Sequence, residues 1–211
     1  LVQANKPYEL YYPNPGWVEQ DPDEWWEAIC EGIKDCLAAD EVSAEDIVGI
    51  GIDGQSWSAI PVDENGNCLA KSPIWMDTRA RDICDEVKAK LGFHKIFDVA
   101  GNDFLPSYTT PKMLWFKQEK PEIYEKTYKF LQSNSYIGYK LTGVMSQDLS
   151  QGYGIHFFNM STCTYDEELA TALGLSVDKV PKLYQCHEVI GEVTQAAAEK
   201  TGLKVGTKVV A

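Results

Sequence analysis

Gly51-Ile52-Asp53-Gly54-Gln55-Ser56-Trp57-Ser58, read with the apolar run before it and with Pro73-Ile74-Trp75-Met76-Asp77-Thr78-Arg79 after it, decides the fold class of this chain. Ile47, Val48, Ile50 and Ile52 stand between Asp46 and Gly54 without polar alternation. That pattern predicts a strand buried on both faces, the kind found inside α/β sheets. Ligands of such sheets collect at strand ends, which is where Gln55, Ser56 and Trp57 fall. The following segment, Trp57 to Val62, alternates as a second strand, and Asp63-Glu64-Asn65-Gly66 reads as a tight reversal.

On the N-terminal side, Tyr8 to Gln20 runs from an aromatic strand into a Pro/Gly turn. Asp21-Pro22-Asp23-Glu24 then starts a helix, with Asp21 as N-cap, Pro22 in the first position and Glu24 at the capping-box position. Trp26, Ile29, Ile33 and Leu37 form its buried face at helical spacing. On the C-terminal side a helix is expected from Asp77 to Leu91, closed by Gly92, and another from Thr110-Pro111 through Trp115 and Phe116. A strand near Tyr128–Leu131, helices near Ser133–Leu141, Asp166–Leu173 and Gln195–Thr201, each ended by a glycine, and a last strand over Lys208–Val210 complete an α/β pattern. No repeat, low-complexity tract or long linker divides the 211 residues. Leu1 is an unusual first residue and Val209-Val210-Ala211 reads as the inside of a strand, so the expectation is a chain incomplete at both ends.

Composition excludes several classes. Hydrophobic residues make up 44% and charged residues 24%, and no apolar run is long enough to cross a bilayer. The net charge of −13, with scattered lysines and arginines, opposes nucleic-acid phosphates and anionic lipid. It also opposes a nucleotide triphosphate, which would need Mg²⁺ and backbone donors to offset the field. Cys30, Cys36, Cys68, Cys84, Cys163 and Cys186 show no metal or redox spacing and read as free thiols in a reducing cytoplasm. His94, His156 and His187 are isolated, which favours surface or packing roles.

Gln55, Ser56, Trp57, Trp75, Asp77 and Arg79 are the candidate ligand contacts. Amide and carboxylate groups exchange hydrogen bonds with hydroxyls, and an indole face covers the C–H side of a sugar. From spacing alone the plainer alternative stays open: Trp57 and Trp75 as core aromatics, Asp77 and Arg79 as a cap or ion pair at a helix start. Asp53 reads as a structural turn carboxylate or a group behind the ligand contacts.

The strings Gly51–Trp57 and Trp75-Met76-Asp77-Thr78-Arg79 resemble the FGGY family of carbohydrate kinases, and within it the xylulokinase-like members. Gly16-Trp17-Val18-Glu19-Gln20-Asp21-Pro22-Asp23-Glu24-Trp25-Trp26 is similar to a long and specific family segment. Gly101-Asn102, Thr110-Pro111-Lys112-Met113-Leu114-Trp115, Pro121-Glu122-Ile123-Tyr124, Leu141-Thr142-Gly143 and Asp148-Leu149-Ser150 with Gly154 follow in the family's order. The resemblance implies an α/β fold of the ribonuclease-H-like (actin-like ATPase) type. Residues 1–211 would be most of the N-terminal domain, with a C-terminal domain outside them. It implies ATP-dependent phosphorylation of a sugar hydroxyl, with Mg²⁺, in a cleft between the two domains. By position, Ser56 and Trp57 fall where the family reads its substrate and Trp75 where an aromatic flanks the sugar.

Two parts of the family pattern are outside these residues. The phosphate-cradling Asp-x-Gly-Thr turn has no match before Tyr8, and the general-base Asp belongs to a Gly-rich turn beyond Ala211. The chain by itself is therefore expected to be inactive, with no catalytic or metal-binding residue of its own. Xylulokinases commonly carry Met-His after the Gln, where this chain has Ser56-Trp57, so the sugar stays open. A ketopentose such as xylulose, another sugar or polyol, and a non-catalytic sugar-binding or scaffold module are the alternatives. The expected partners are a small sugar and the missing domain; oligomeric state is open, a homodimer being one reading.

Overall fold

The computed structural model of the protein describes residues 1–39 and 42–211. Its first long helix, Pro22–Leu37, starts where local sequence places it. The Asp21 carboxylate accepts from the Asp23 N–H at 3.1 Å, and Pro22 takes the position whose N–H has no helical partner. Trp25, Trp26 and Cys30 are buried on the inner face, with Ile29 and Ile33 packed partly beside them. Glu24 does not close a capping box. Its carboxylate accepts instead from the Glu9 N–H and the Tyr11 hydroxyl, tying the N-terminal aromatic segment to the helix. That segment forms a single bridge, Tyr11 to Glu19, rather than a strand of its own.

The strand expected over residues 47–53 is shorter and less covered than its apolar run suggests. Gly49–Ile50 pairs parallel with Lys208–Val210, which pairs antiparallel with Val189–Glu192. It is the edge of that three-stranded sheet, and Val48 is 89% exposed. Within residues 1–211 this strand has one hydrogen-bonded neighbour and is not buried on both faces, Gly49 being exposed and Ile50 half-buried. Its direction is the one that matters for the site. With Gly49 opposite Lys208 and Ile50 opposite Val209, residues 51–55 and Ala211 emerge together at one end of the parallel pair.

Ile60–Val62 pairs antiparallel with Lys129–Leu131, and neighbouring residues of these strands serve two cores. Ala59 and Phe130 join Ile83, Met113, Trp115 and Phe157, whereas Ile60 and Leu131 join Trp26, Tyr136 and Val209. The alternation follows from the two-residue period of extended backbone. Between the strands, Gly66 reverses the chain at φ 77, and its N–H donates to the Asp63 carbonyl at 3.0 Å. Lys129–Leu131 then leads through Gln132 into the helix Ser133–Thr142, which ends on left-handed Gly143.

The helix expected from Asp77 begins four residues later, at Arg81, and runs to Leu91. Asp77 accepts from the Arg79 N–H at 2.9 Å, a side-chain turn that competes with helical geometry. The short helix Phe93–Ala100 after Gly92 was not foreseen. Burial pushes the Cys68 and Cys84 thiols up to about 12, which keeps them protonated and unreactive near neutral pH. Among the described residues no helix is long and apolar enough to cross a membrane.

His156 takes the packing role. Its Nε2 lies 3.1 Å from the Asp103 carbonyl, and the rings of Phe104 and Tyr108 flank it at 4.4 and 5.0 Å. Burial pushes its pKa from 6.5 down to about 4, so the folded protein holds it neutral. Between those values the unfolded chain binds the extra proton. Stability is therefore expected to fall by about 3 kcal/mol from this group as pH drops from about 7 to below 4. Urea unfolding of wild type and His156→Phe at pH 7 and pH 4.5 measures it; equal pH slopes for the two proteins would contradict the assignment.

Candidate functional site

Side chains from several separate segments hold the backbone of the Gly54–Trp57 turn. The Gln55 carbonyl accepts from Ser133 Oγ at 2.7 Å, and the Trp57 N–H donates to Gln132 Oε1 at 3.1 Å. Gln132 Nε2 donates in turn to the Gln151 carbonyl at 2.8 Å, and Gln151 Nε2 reaches the Gly54 carbonyl at 3.4 Å. The Trp57 carbonyl accepts from Lys112 Nζ at 2.7 Å. Gln55 spends its own amide nitrogen on Gln20 Oε1. Gly54 is required by a close approach: a Cβ there would stand 2.5 Å from Ser133 Oγ and 2.8 Å from the Asn134 nitrogen. Trp57 has φ 68, a left-handed conformation that a bulky residue adopts only where its surroundings enforce it.

Beside the turn stands an aromatic wall. The Trp57 indole stacks on Tyr108 with centroids 4.2 Å apart and meets Tyr153 edge-on at 5.7 Å. The two tyrosine hydroxyls are 3.4 Å apart. Burial, with a smaller contribution from Tyr153, pushes the Tyr108 phenol up, so it stays a protonated donor. Trp57 Nε1 is buried without a hydrogen-bond partner among the described residues. One indole face is thus used by Tyr108, and the Cδ1–Nε1 edge lies close against Gly154, where an added Cβ would stand 2.4 Å from Cδ1.

The six expected contact residues divide. Gln55, Ser56 and Trp57 share the turn. Trp75 is on the surface, 52% exposed. Asp77, by contrast, is 1% exposed and fully engaged: Oδ2 accepts from the Val18 N–H at 2.7 Å and from Arg79 Nη2 at 2.8 Å. Arg79 also reaches Glu19 at 2.8 Å, with its guanidinium over Trp17 at 4.0 Å and Trp115 at 4.7 Å. The paired, aromatic-packed guanidinium needs no further partner. Asp77 and Arg79 thus form an ion pair that fixes the loop, as in the plainer of the two readings spacing had left open. No hydrogen bond among the described residues joins Trp75 or Asp77 to the turn.

Sequence reasoning missed the role of Asp148. Buried at the mouth of the parallel pair, it accepts from Asn134 Nδ2 at 2.6 Å, from the Gln151 N–H at 2.9 Å and from the Ser150 hydroxyl. The Asp-x-Ser spacing was the available signal, since Asp148 also caps the short helix Leu149–Gly152. Asp148, Asp53, Gly54, Gln151 and Ala211 line a cavity of about 380 Å³. Asp53 and Gln55 also border a larger, mostly apolar cavity of about 670 Å³ beneath the edge strand, lined by Trp25, Ile29 and Ile33. No group of three or more His, Cys, Asp or Glu among the described residues could hold a metal ion.

A braced turn beside an aromatic wall, at the end of parallel strands, is a place where α/β domains commonly hold small polar ligands. Comparison with known proteins narrows that class. Residues 1–211 match the N-terminal domain of the FGGY family of carbohydrate kinases, and the chain belongs to that family. It is 31% identical over 210 residues to the xylulose kinase of Bacillus subtilis, covering 100% of this chain and 42% of that protein. Its fold is that of the xylulose kinase of Rhodospirillum rubrum, with TM-score 0.91 and 26% identity, over 97% of this chain and 43% of the other. A gluconate kinase from Lactobacillus acidophilus matches with TM-score 0.89 and 27% identity, over 97% and 41%. The fold is therefore the actin-like ATPase fold of the family, as the sequence resemblance implied. The chain spans about 42% of the length of the Bacillus relative.

Proposed function

We propose that this chain is most of the N-terminal domain of an ATP-dependent sugar kinase and supplies one wall of its sugar site. The favoured substrate is a ketopentose of the xylulose type. The observation that carries the reading is the braced Gly54–Trp57 turn at the mouth of the parallel pair. A polyhydroxy ligand resting there would meet the polar groups of Gln55 and Ser56 beside the aromatic wall of Trp57. The in-register pairing of Gly49–Ile50 with Lys208–Val210 supports the rest. A carboxylate carried just past Ala211 would come out beside Gly51–Asp53, within reach of a hydroxyl held at the turn. In that place it would take the hydroxyl proton during phosphoryl transfer.

ATP and Mg²⁺ belong to the proposal for the whole protein. The resemblance assigns the phosphate-cradling turn and the Asp that works with Mg²⁺ to a segment that has no match in these residues. What this chain does is bind and orient the sugar. A second reading, a kinase for a sugar acid or polyol, is favoured by the gluconate kinase likeness and by Ser56-Trp57 in place of Met-His.

Coupled ADP release with D-xylulose, L-xylulose, D-ribulose, gluconate and a polyol tests both readings. The full-length parent is expected to show sugar-dependent turnover. The 211-residue chain is expected to show none, since loss of a general base alone costs about 10²- to 10⁴-fold. Turnover near one per second by the short chain, on the scale of a working kinase, would show the catalytic groups to be misplaced. Trp57→Ala in the parent is expected to reduce kcat/KM for the native sugar by about 10-fold or more, on the scale of one apolar contact in a pocket. A change under about twofold would make Trp57 a packing residue only.

A further inference from the structure

Lys112 is the most buried basic side chain near the turn, with no measurable exposure, and among the described residues no carboxylate forms a hydrogen bond with it. It sits in the first turns of the helix Thr109–Glu119, among Thr110, Pro111 and Met113, all buried. At such a position a side chain needed only for packing would be apolar, because an ammonium loses its hydration on burial. Its Nζ donates to two backbone carbonyls, those of Trp57 and Ser107. Trp57 is the residue forced to φ 68, and Ser107 immediately precedes Tyr108, whose ring stacks on the Trp57 indole. One ammonium thus ties down the backbone under both rings of the aromatic wall. Thr109 Oγ1 reinforces the same junction by donating to the Ser58 carbonyl at 3.2 Å.

We infer that Lys112 is a positioning residue for sugar binding: it holds the left-handed Trp57 turn and the 105–108 loop in one geometry and so sets the shape of the aromatic wall. Lysine suits this task because it is a pure donor with three N–H groups, able to serve two carbonyls that converge from distant parts of the chain. Gln132 grips the Trp57 N–H from the other side, so both polar groups of this residue's backbone are engaged. Burial pushes the Lys112 pKa down to about 7, opposed by the field of Asp77 and aided by that of Arg79. The neutral amine also donates, so the two carbonyls keep their partner in either protonation state.

The inference rests on the sugar-kinase reading only for its kinetic consequence; the clamp itself is tested without it. In the full-length parent, wild type, Lys112→Met and Lys112→Arg are compared by amide hydrogen exchange and by initial rates with D-xylulose and ATP. Lys112→Met keeps an unbranched chain one atom shorter and loses the donors. It is expected to speed exchange at residues 55–58 by about 10-fold or more while residues 60–62 and 129–131 stay unchanged, as for a local rather than global opening. It is also expected to raise the KM for D-xylulose about 10-fold with the KM for ATP within about twofold, the split that marks lost sugar positioning. Lys112→Arg, which restores donors, should recover most of both. Unchanged exchange at residues 55–58, or equal acceleration throughout the domain, overturns the clamp. If the parent phosphorylates none of the sugars, the functional reading fails and the exchange data decide the clamp alone. If Lys112→Met does not fold, Lys112→Gln is measured in its place against the same outcomes.

Discussion

Asp77→Ala is expected to lower the unfolding free energy by about 3–5 kcal/mol, the usual consequence of removing one member of a buried ion pair. The Arg79 side chain is 2% exposed and would keep only Glu19, which is itself 17% exposed. The Val18 N–H, which donates to Asp77 Oδ2 at 2.7 Å, would lose its acceptor as well. The guanidinium would then remain between Trp17 and Trp115 with half its charge compensation gone. For a domain of this size the loss corresponds to a melting temperature lower by about 10 °C. Adding Arg79→Met should recover part of it, since the uncompensated charge rather than the missing contact is the main cost. Thermal and urea unfolding of the single and double variants provide the measurement. A loss below about 1 kcal/mol, the range of a surface pair, would return Asp77 to the list of groups free to meet a ligand.

Gly54→Ala is expected to reduce kcat/KM of the full-length parent for its sugar by about 100-fold, the scale of a 1 Å misplacement at a reacting site. The new Cβ would fall 2.8 Å from the Asn134 backbone nitrogen, an atom that cannot rotate away. The turn must therefore move off the start of the Ser133–Thr142 helix, taking Gln55, Ser56 and Trp57 with it. Gly143→Ala is the companion measurement. Gly143 has φ 76 and open space around it, so its substitution strains the backbone without touching the turn. It should destabilise the protein by about 1 kcal/mol and leave sugar kinetics unchanged. Gly54→Ala with kcat/KM within about twofold of wild type would show that the turn does not position the substrate.

Sequence alone determined what depends on neighbours along the chain. The Asp21-Pro22 helix start, the reversal at Asn65-Gly66 and the helix ends at Gly92, Gly143 and Gly202 are local, since a cap or a left-handed residue is specified within a few positions. The family was also present in the order of its motifs, from Gly16-Trp17 to Asp148-Leu149-Ser150, because specific strings survive where overall identity is about 30%.

Tertiary structure decided what depends on partners far away. Which strand lies beside the Ile47–Ile52 run is set far along the chain: Gly49–Ile50 pairs with Lys208–Val210, more than 150 residues on. Spacing left Asp77 and Arg79 open as ligand contacts or as an ion pair, and only the fold brings Val18, Glu19, Trp17 and Trp115 to them. Lys112 looked like one lysine within a motif; only the fold brings the carbonyls of Trp57 and Ser107 together at its ammonium. The physical reason is the same in each case: a side chain's type states which bonds it can make, and the packed chain determines which of them are already taken.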